Sequence, residues 1–455
     1  MLLREDGKSI PLAPSRLGGG VSRGSVAFVD TPFLDTSSAH AVRGTTLAFA
    51  AEMWSSRGMP DGPVSLFAPA RLGPIELRNR VIKCGTNEGM ARGGLVTDAL
   101  IAWHREFAAG GVGMTTLAYC SVSADGRTFR DQIWMRDEAR DGLRRFTDAM
   151  RAEGARAAIQ LGHAGWFASR AVIGVAPLGP ARMFSPHGMC FSRAMQETDF
   201  ARLRDDFAAA ARLAVAAGFD ALEVHVGHGY LLSQFLSPYN NRRRDAWGGS
   251  AENRARFPRE VMRAVRAAAG PHVAVYAKLN MEDGFAGGLA LEDALQVARW
   301  IEADGSADAL QLTGGHTTRT PFYLMRGAVP LREMARSQQN PVRRAAMQIF
   351  GRLLIRTYPF QEAFFLPLAR RFRAAVRLPL MLLGGITRLE TMEQALAEGF
   401  DFVALGRALI RDPDLVRRMQ AGELRASRCV PCNQCVVEME RGGTRCVMRE
   451  PAPPA

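Results

Sequence analysis

Residues 200–226 read FARLRDDFAAAARLAVAAGFDALEVHV. In the first part Phe200, Leu203, Phe207 and Ala210/Ala211 recur at three- and four-residue intervals, which lines apolar side chains along one face of a helix. The final six residues, Ala221–Val226, form a short β-prone apolar run. Comparable runs stand at Val81–Lys83, Met114–Tyr119, Ala157–Leu161, Val273–Leu279, Asp308–Leu312, Pro379–Leu383 and Phe402–Leu405. Helical spacing follows each run, at Asp98–Ala109, Gly142–Glu153, Ala251–Ala269, Leu291–Ala303, Gln361–Val376, Leu389–Glu398 and Asp412–Met419 besides the segment quoted. Eight strand–helix units in order predict a (β/α)8 TIM barrel, because each parallel strand needs a crossover and closure leaves no exposed edge. A doubly wound open sheet is the structural alternative. It would gather ligands at one switch point, whereas polar residues here follow many strands.

Working outward, residues 1–60 are rich in Gly, Ser, Pro and Thr and are expected to form a poorly ordered extension. The barrel is expected over 61–420 and a short Cys-rich tail over 421–455. Two stretches interrupt the rhythm: a long loop over 164–197 after the third strand, and an insertion over 316–360 between the sixth strand and its helix.

The formal net charge is +13, and Arg319–Arg373 alone holds eleven arginines against Glu333 and Glu362. A basic balance confined to one apolar insertion argues against nucleic acid as a partner. The opening residues lack a secretory core, and no stretch is apolar for long enough to span a bilayer, so a cytoplasmic protein is expected. Seven cysteines, four of them in the last thirty residues, do not suggest a secreted disulfide framework.

In a barrel the polar residues ending the strands converge on one face: Gln160, His225, His228, Lys278, the glycine pairs Gly314–Gly315 and Gly384–Gly385, and Gly406–Arg407. A strand-ending glycine pair is ordinarily a turn. Gly384–Gly385 and Gly406, with Arg407 beside it, fall after the seventh and eighth strands, where barrels recurrently bind phosphate, and they imply a phosphorylated cofactor. His225, His228 and Tyr230 offer two imidazoles that can donate to an oxygen and a phenol that can pass a proton. A structural histidine or a His-x-x-His metal pair are the competing readings.

The segment Glu223–Phe257, EVHVGHGYLLSQFLSPYNNRRRDAWGGSAENRARF, resembles the signature of the old yellow enzyme family: a strand ending in His, then Gly-Tyr, Phe-Leu-Ser-Pro, Asn-x-Arg, Gly-Gly-Ser and Glu-Asn-Arg. The likeness extends to LFAPARLGPIELRNR, IQLGHAG, LGGIT and VALGRALIRDP, and covers about residues 64–420. It implies FMN over the barrel mouth, with Gln160 on the flavin pyrimidine, Lys278 near N1, and Gly384, Gly385, Gly406 and Arg407 around the phosphate. It also places Gly85 and Thr86 beneath the ring, where Lys83–Cys84–Gly85–Thr86–Asn87 departs from the family's usual residues and so bears on redox tuning. The expected activity is hydride transfer from NAD(P)H through flavin N5 to the C=C bond of an enone or enoyl substrate, with His225 and His228 holding the oxygen and Tyr230 supplying the proton. The alternatives are an oxidative amine dehydrogenase and a non-catalytic flavin or iron–sulfur electron-transfer module.

Cys429, Cys432, Cys435 and Cys446 are spaced C-x2-C-x2-C-x10-C. Thiolates so spaced suit an iron–sulfur cluster or zinc, and unmetallated thiols are the third reading. The arrangement resembles the cluster-bearing branch of the family, the 2,4-dienoyl-CoA reductases and trimethylamine dehydrogenase, with shorter spacings, and implies 4Fe–4S. The insertion is expected to be a basic lid, with Phe322, Tyr323, Ile349, Phe350 and Leu353 lining an apolar channel and Arg343, Arg344, Arg352 and Arg356 meeting an anionic substrate. A membrane-surface segment or a subunit contact in a homo-oligomer is the alternative.

Overall fold

The computed structural model describes residues 64–338 and 341–449. The extension expected over residues 1–60 lies outside them. Eight parallel strands close into a barrel: β1 (Val81–Lys83), β2 (Met114–Ser121), β3 (Arg156–Gly162), β4 (Ala221–Val226), β5 (Ala274–Asn280), β6 (Ala309–Thr313), β7 (Leu380–Leu383) and β8 (Phe402–Leu405), with β8 pairing back onto β1. The crossover helices are α1 (Asp98–Ala109), α2 (Arg140–Ala152), α3 (Glu197–Ala216), α4 (Ala251–Ala269), α5 (Leu291–Ala303), α6 (Leu366–Ala375), α7 (Leu389–Ala397) and α8 (Leu415–Gln420).

The helix ends follow from their sequences. α3 starts in a capping box between Gln196 and Asp199, and the Ser250 hydroxyl accepts from Asn253 N–H at the start of α4. Two helices begin later than periodicity suggests. Pro367 sits in the first turn of α6, where its missing N–H costs nothing, so the helix starts at Leu366 and not at Gln361. Before α8, Pro413 keeps Asp412 out of the helical region (φ −126°, ψ 83°) and splits the segment into Arg407–Arg411 and Leu415–Gln420.

Side chains alternate across each strand. Leu222, Val224 and Val226 of β4 join the main apolar layer between strands and helices. Ala221 faces the barrel axis, where Ile82, Met114, Ala158, Ala274, Tyr276, Ala309, Met381 and Phe402 fill the lower interior, together with Ala70, Leu72, Ile75 and Leu77 of a hairpin. Two and four residues along β4 from Ala221, the same alternation brings Glu223 and His225 to the upper interior. Register places Glu223 opposite both Gln160 and Tyr276, His225 opposite Lys278, and Lys278 opposite Gln311. The interior therefore changes from apolar to polar toward the C-terminal ends of the strands.

The 164–197 loop holds two small paired strands segments, Leu178–Gly179 with Arg193–Ala194 and Phe184–Ser185 with Cys190–Phe191. The insertion contains helices Leu331–Ser337 and Pro341–Leu354. Its apolar residues do not share a channel: Phe322 and Tyr323 are buried in the core, while Ile349, Phe350 and Leu353 are 71%, 51% and 84% exposed. The insertion and the Cys-rich tail interlock instead. Ser337 donates to Glu440 at 3.0 Å, Arg441 donates to the Glu333 carbonyl at 3.2 Å, and the Asn433 amide donates to the carbonyls of Met325 (2.6 Å) and Ala328 (2.8 Å). Among the described residues no helix is long and apolar enough to cross a membrane.

Candidate active site

The C-terminal end of β4 brings together the three residues expected to do chemistry. The rings of His225 and His228 are 5.0 Å apart, and those of His225 and Tyr230 are 4.8 Å apart. His228 adopts φ 60°, an uncommon conformation for a residue with a side chain. It is held by its N–H donating to Asn280 Oδ1 at 3.0 Å, by Thr317 N–H donating to its carbonyl at 3.0 Å, and by a 2.8 Å bond between its Nε2 and Thr313 Oγ1. His225 is buried, and its Nδ1 has no hydrogen-bond partner among the described residues.

Electrostatics keep both imidazoles neutral. Burial, reinforced by His228 and Lys278, drives His225 well below the usual histidine range. His228 is pushed down to about 3 by burial, with Lys278 and His316 adding to it. Burial raises Tyr230 to about 12, so its phenol stays protonated and can donate. Tyr230 packs on Tyr119 (5.1 Å) and Phe167 (5.7 Å), and Tyr119 is fixed by Thr128 at 2.6 Å and by the Gly126 carbonyl.

Beside this group lies a buried carboxylate that sequence reasoning passed over. Glu223 Oε1 accepts from Lys278 Nζ at 3.0 Å and from the Gln160 amide, while its Oε2 has no partner. The ammonium expected to face the flavin is thus already paired, and it carries charge through a shared network. The signal was available: Glu223 precedes His225 by two on a strand and must share its face.

Gly85 comes close to the same network. A Cβ there would lie 2.8 Å from Ala118 Cβ and 3.2 Å from Gln160 Nε2. Thr86 accepts from Lys83 Nζ at 3.0 Å, and Lys83 is buried between Glu88 and the Trp103 ring of α1, outside the barrel mouth. Gly384 (φ 118°) and Gly385 (φ 72°) turn the chain after β7 against Phe364 and Phe365, and a Cβ on Gly406 would press on Cys84 Sγ at 3.3 Å. The backbone N–H groups of Gly385, Gly406 and Arg407 donate to no described residue. The Arg407 guanidinium turns toward the tail, bonding the carbonyls of Met325 (3.3 Å) and Arg326 (3.0 Å) and Asn433 Oδ1. Its side chain is thus committed to the tail and the insertion, not turned into the barrel mouth as the resemblance implied.

The four tail cysteines line one cavity with Arg407, Ile410, Arg411 and Asn433. Among the described residues no three His, Cys, Asp or Glu side chains are arranged to hold a single metal ion. The tail also reaches beneath the mouth, where Thr444 donates to the carbonyls of Asn87 and Glu88, both at 2.7 Å. On the opposite rim, His316 forms a bridge with His228 and is packed among Trp166, Tyr239 and Phe285.

The orphaned Glu223 Oε2 and His225 Nδ1, the glycines without room for a Cβ and the free amides after β7 and β8 together fit a flavin mononucleotide across the mouth. The sequence profile described as NADH:flavin oxidoreductase / NADH oxidase family matches residues 65–315. The chain belongs to that family. This NADH:flavin oxidoreductase uses FMN and NAD(P)H, and its barrel is of the old yellow enzyme type. It is 50% identical over 386 residues to the 4,4'-dithiodibutanoate disulfide reductase of Rhodococcus erythropolis, spanning 85% of this chain and 95% of that protein. Among solved structures it is similar to a 2-naphthoyl-CoA reductase, with TM-score 0.72 and 25% identity over 85% of this chain and 57% of the other. The old yellow enzyme homologue of Zymomonas mobilis shares the fold, with TM-score 0.64 and 23% identity over 81% of this chain and 96% of the other. Several other curated relatives are longer, and the chain spans about half their length. A second profile, for histidine biosynthesis proteins, matches residues 361–430, the stretch that holds β7, β8 and the glycines Gly384, Gly385 and Gly406.

Proposed function

We propose that this oxidoreductase reduces an activated C=C bond of an enone or enoyl substrate at the expense of NAD(P)H in the cytoplasm. The observation that carries the reading is the trio of His225, His228 and Tyr230 at one strand end: two imidazoles held neutral and a phenol held protonated. Bound FMN would supply hydride at the β-carbon. His225 and His228 then donate hydrogen bonds to the carbonyl oxygen on which enolate charge grows, and Tyr230 delivers the proton to the α-carbon. Neutral donors suit this better than imidazolium, because no charge must be desolvated before the substrate binds.

A second reading, reduction of a disulfide, is favoured by the 50% identity to the 4,4'-dithiodibutanoate disulfide reductase. There hydride breaks the S–S bond to give one thiol and one thiolate, and the same imidazoles stabilise the leaving thiolate. A thiolate is stable in water near its pKa of about 8.5, so it needs no phenolic proton. Tyr230→Phe separates the readings. It should slow alkene reduction on the order of 10²-fold, in keeping with a lost general acid, and leave disulfide reduction nearly unaffected. Amine oxidation is disfavoured because Arg242 and Arg319, stacked on the Tyr239 ring without a carboxylate partner among the described residues, would repel an ammonium.

For the tail we propose a 4Fe–4S cluster on Cys429, Cys432, Cys435 and Cys446. Four thiols lining one cavity beside Arg407 and Arg411 support a group of negative charge.

A further inference from the structure

Many of the described arginines are ion-paired, among them Arg243 with Asp245, Arg254 with Asp293, Arg259 with Asp304 and Arg266 with Asp308. Two at the rim of the active site are not. Arg319 lies 5.4 Å over the Tyr239 ring and 5.3 Å over Phe285, and Arg242 lies 6.0 Å over the same Tyr239 ring. Among the described residues neither meets a carboxylate, and the one hydrogen bond of Arg242 is to the Tyr239 carbonyl at 3.3 Å. Both are exposed. Stacking on aromatic faces fixes a guanidinium plane while leaving its N–H edges free for a planar anion.

Their position ties them to the chemistry. Arg319 donates its N–H to the carbonyl of His316 at 3.1 Å, and the His316 backbone bridges to His228. The His316 ring is fixed by Asn240 Oδ1 at 3.0 Å and Thr318 at 2.9 Å, and it packs against both Tyr239 and Phe285. The two arginines are thus mounted on the wall that carries a catalytic imidazole, and they hold two uncompensated positive charges there.

We propose that Arg319 and Arg242 form a carboxylate-binding subsite, so that the substrate is a small organic acid. Its carboxylate is gripped at the Tyr239/Phe285 rim, and a short aliphatic chain carries the reducible bond to His225 and His228. This rests on the reductase reading above, for either bond type. Carboxylate recognition selects the substrate and takes no part in the bond change.

The test uses the FMN-loaded enzyme and a matched pair of probes, 4,4'-dithiodibutanoate and its diamide, with decanedioate and decanediamide as isosteres that cannot be reduced. Binding of the latter two is read from the flavin absorbance and needs no turnover. The wild-type protein should prefer diacid to diamide by on the order of tenfold or more in binding, as one charge-assisted hydrogen bond requires. Arg319→Gln with Arg242→Gln should abolish that preference, Arg319→Lys should restore part of it, and raising salt to about 0.5 M should weaken diacid binding in the wild type alone. Equal binding of diacid and diamide by the wild type, or a preference that survives the double substitution, overturns the subsite. Preference for decanedioate without reduction of any disulfide or alkene overturns the reductase reading and leaves the subsite standing.

Discussion

Replacing Lys278 by Met tests the buried network directly. In the native protein Glu223 is fully buried, with one oxygen shared between Lys278 and Gln160 and the other unpartnered. Removing the ammonium leaves a carboxylate in the barrel interior with one amide donor. Breaking a buried pair in this way costs about 3–5 kcal/mol. Unfolding entropy is about 2.1 cal/mol/K per residue, so the unit from Pro60 to Ala455 has about 0.8 kcal/mol/K. A loss of about 4 kcal/mol then lowers the melting midpoint by about 5 °C. The informative comparison is Lys278→Met with Glu223→Gln, which removes the stranded charge and keeps an amide acceptor for Gln160. That double variant should recover at least about half of the lost stability, about 2 kcal/mol. Thermal unfolding followed by circular dichroism on the FMN-free forms of all four proteins closes the cycle. If the double variant is no more stable than Lys278→Met, the carboxylate was not charged or not dependent on Lys278, and the network as described is wrong.

Further expectations concern the imidazoles, acid stability and the tail. His225→Ala with His228→Ala should retain FMN and its reduction by NAD(P)H but slow substrate reduction on the order of 10²–10³-fold in stopped-flow assays; equal slowing of flavin reduction would contradict their role. His104 and His316 are wholly buried and held at about 4 and about 3 by burial, with Lys83 next for His104 and Arg319 next for His316, against 6.5 when unfolded. Because their folded pKa values are lowered, the unfolded chain binds more protons below pH 6.5, so stability is full above that pH and falls as pH drops toward 4. At pH 5 the two together should cost about 4 kcal/mol, visible in urea midpoints, and His316→Asn should flatten the slope. Anaerobically purified protein should contain about four irons per chain, lost in Cys432→Ser; stoichiometric zinc without iron would assign a structural clip instead.

The barrel was legible because its two periods, near 3.6 in the helices and 2 in the strands, are local properties of the chain. The strand ends were legible for the same reason, and with them His225, His228, Gln160 and Lys278. What escaped depends on partners far along the chain. Glu223 shares a face with His225, yet a carboxylate in a strand means little until β4–β5 register sets it against Lys278. Arg407 follows Gly406 at the phosphate end, but its side chain answers to Asn433 and Met325, whose positions follow from how tail and insertion interlock.

The insertion teaches the same lesson from its composition. Its basic and apolar residues suggested a lid, and the structure divides them by role: Phe322 and Tyr323 go into the core, the helix Pro341–Leu354 turns Ile349 and Leu353 to solvent, and Arg319, at the very start, reaches the catalytic rim. Proximity to the strand end explains that choice, since the chain leaving β6 has travelled only six residues beyond Thr313 when it reaches Arg319. Residues at the root of a barrel loop are fixed by the strand they leave, and those at its tip answer to whatever they pack against. An anion site built at the root can therefore be held in register with His228, which one on the distal helix could not. For that reason the substrate's charge should be sought beside Tyr239 and not on the exposed helix, even though the helix carries more arginines.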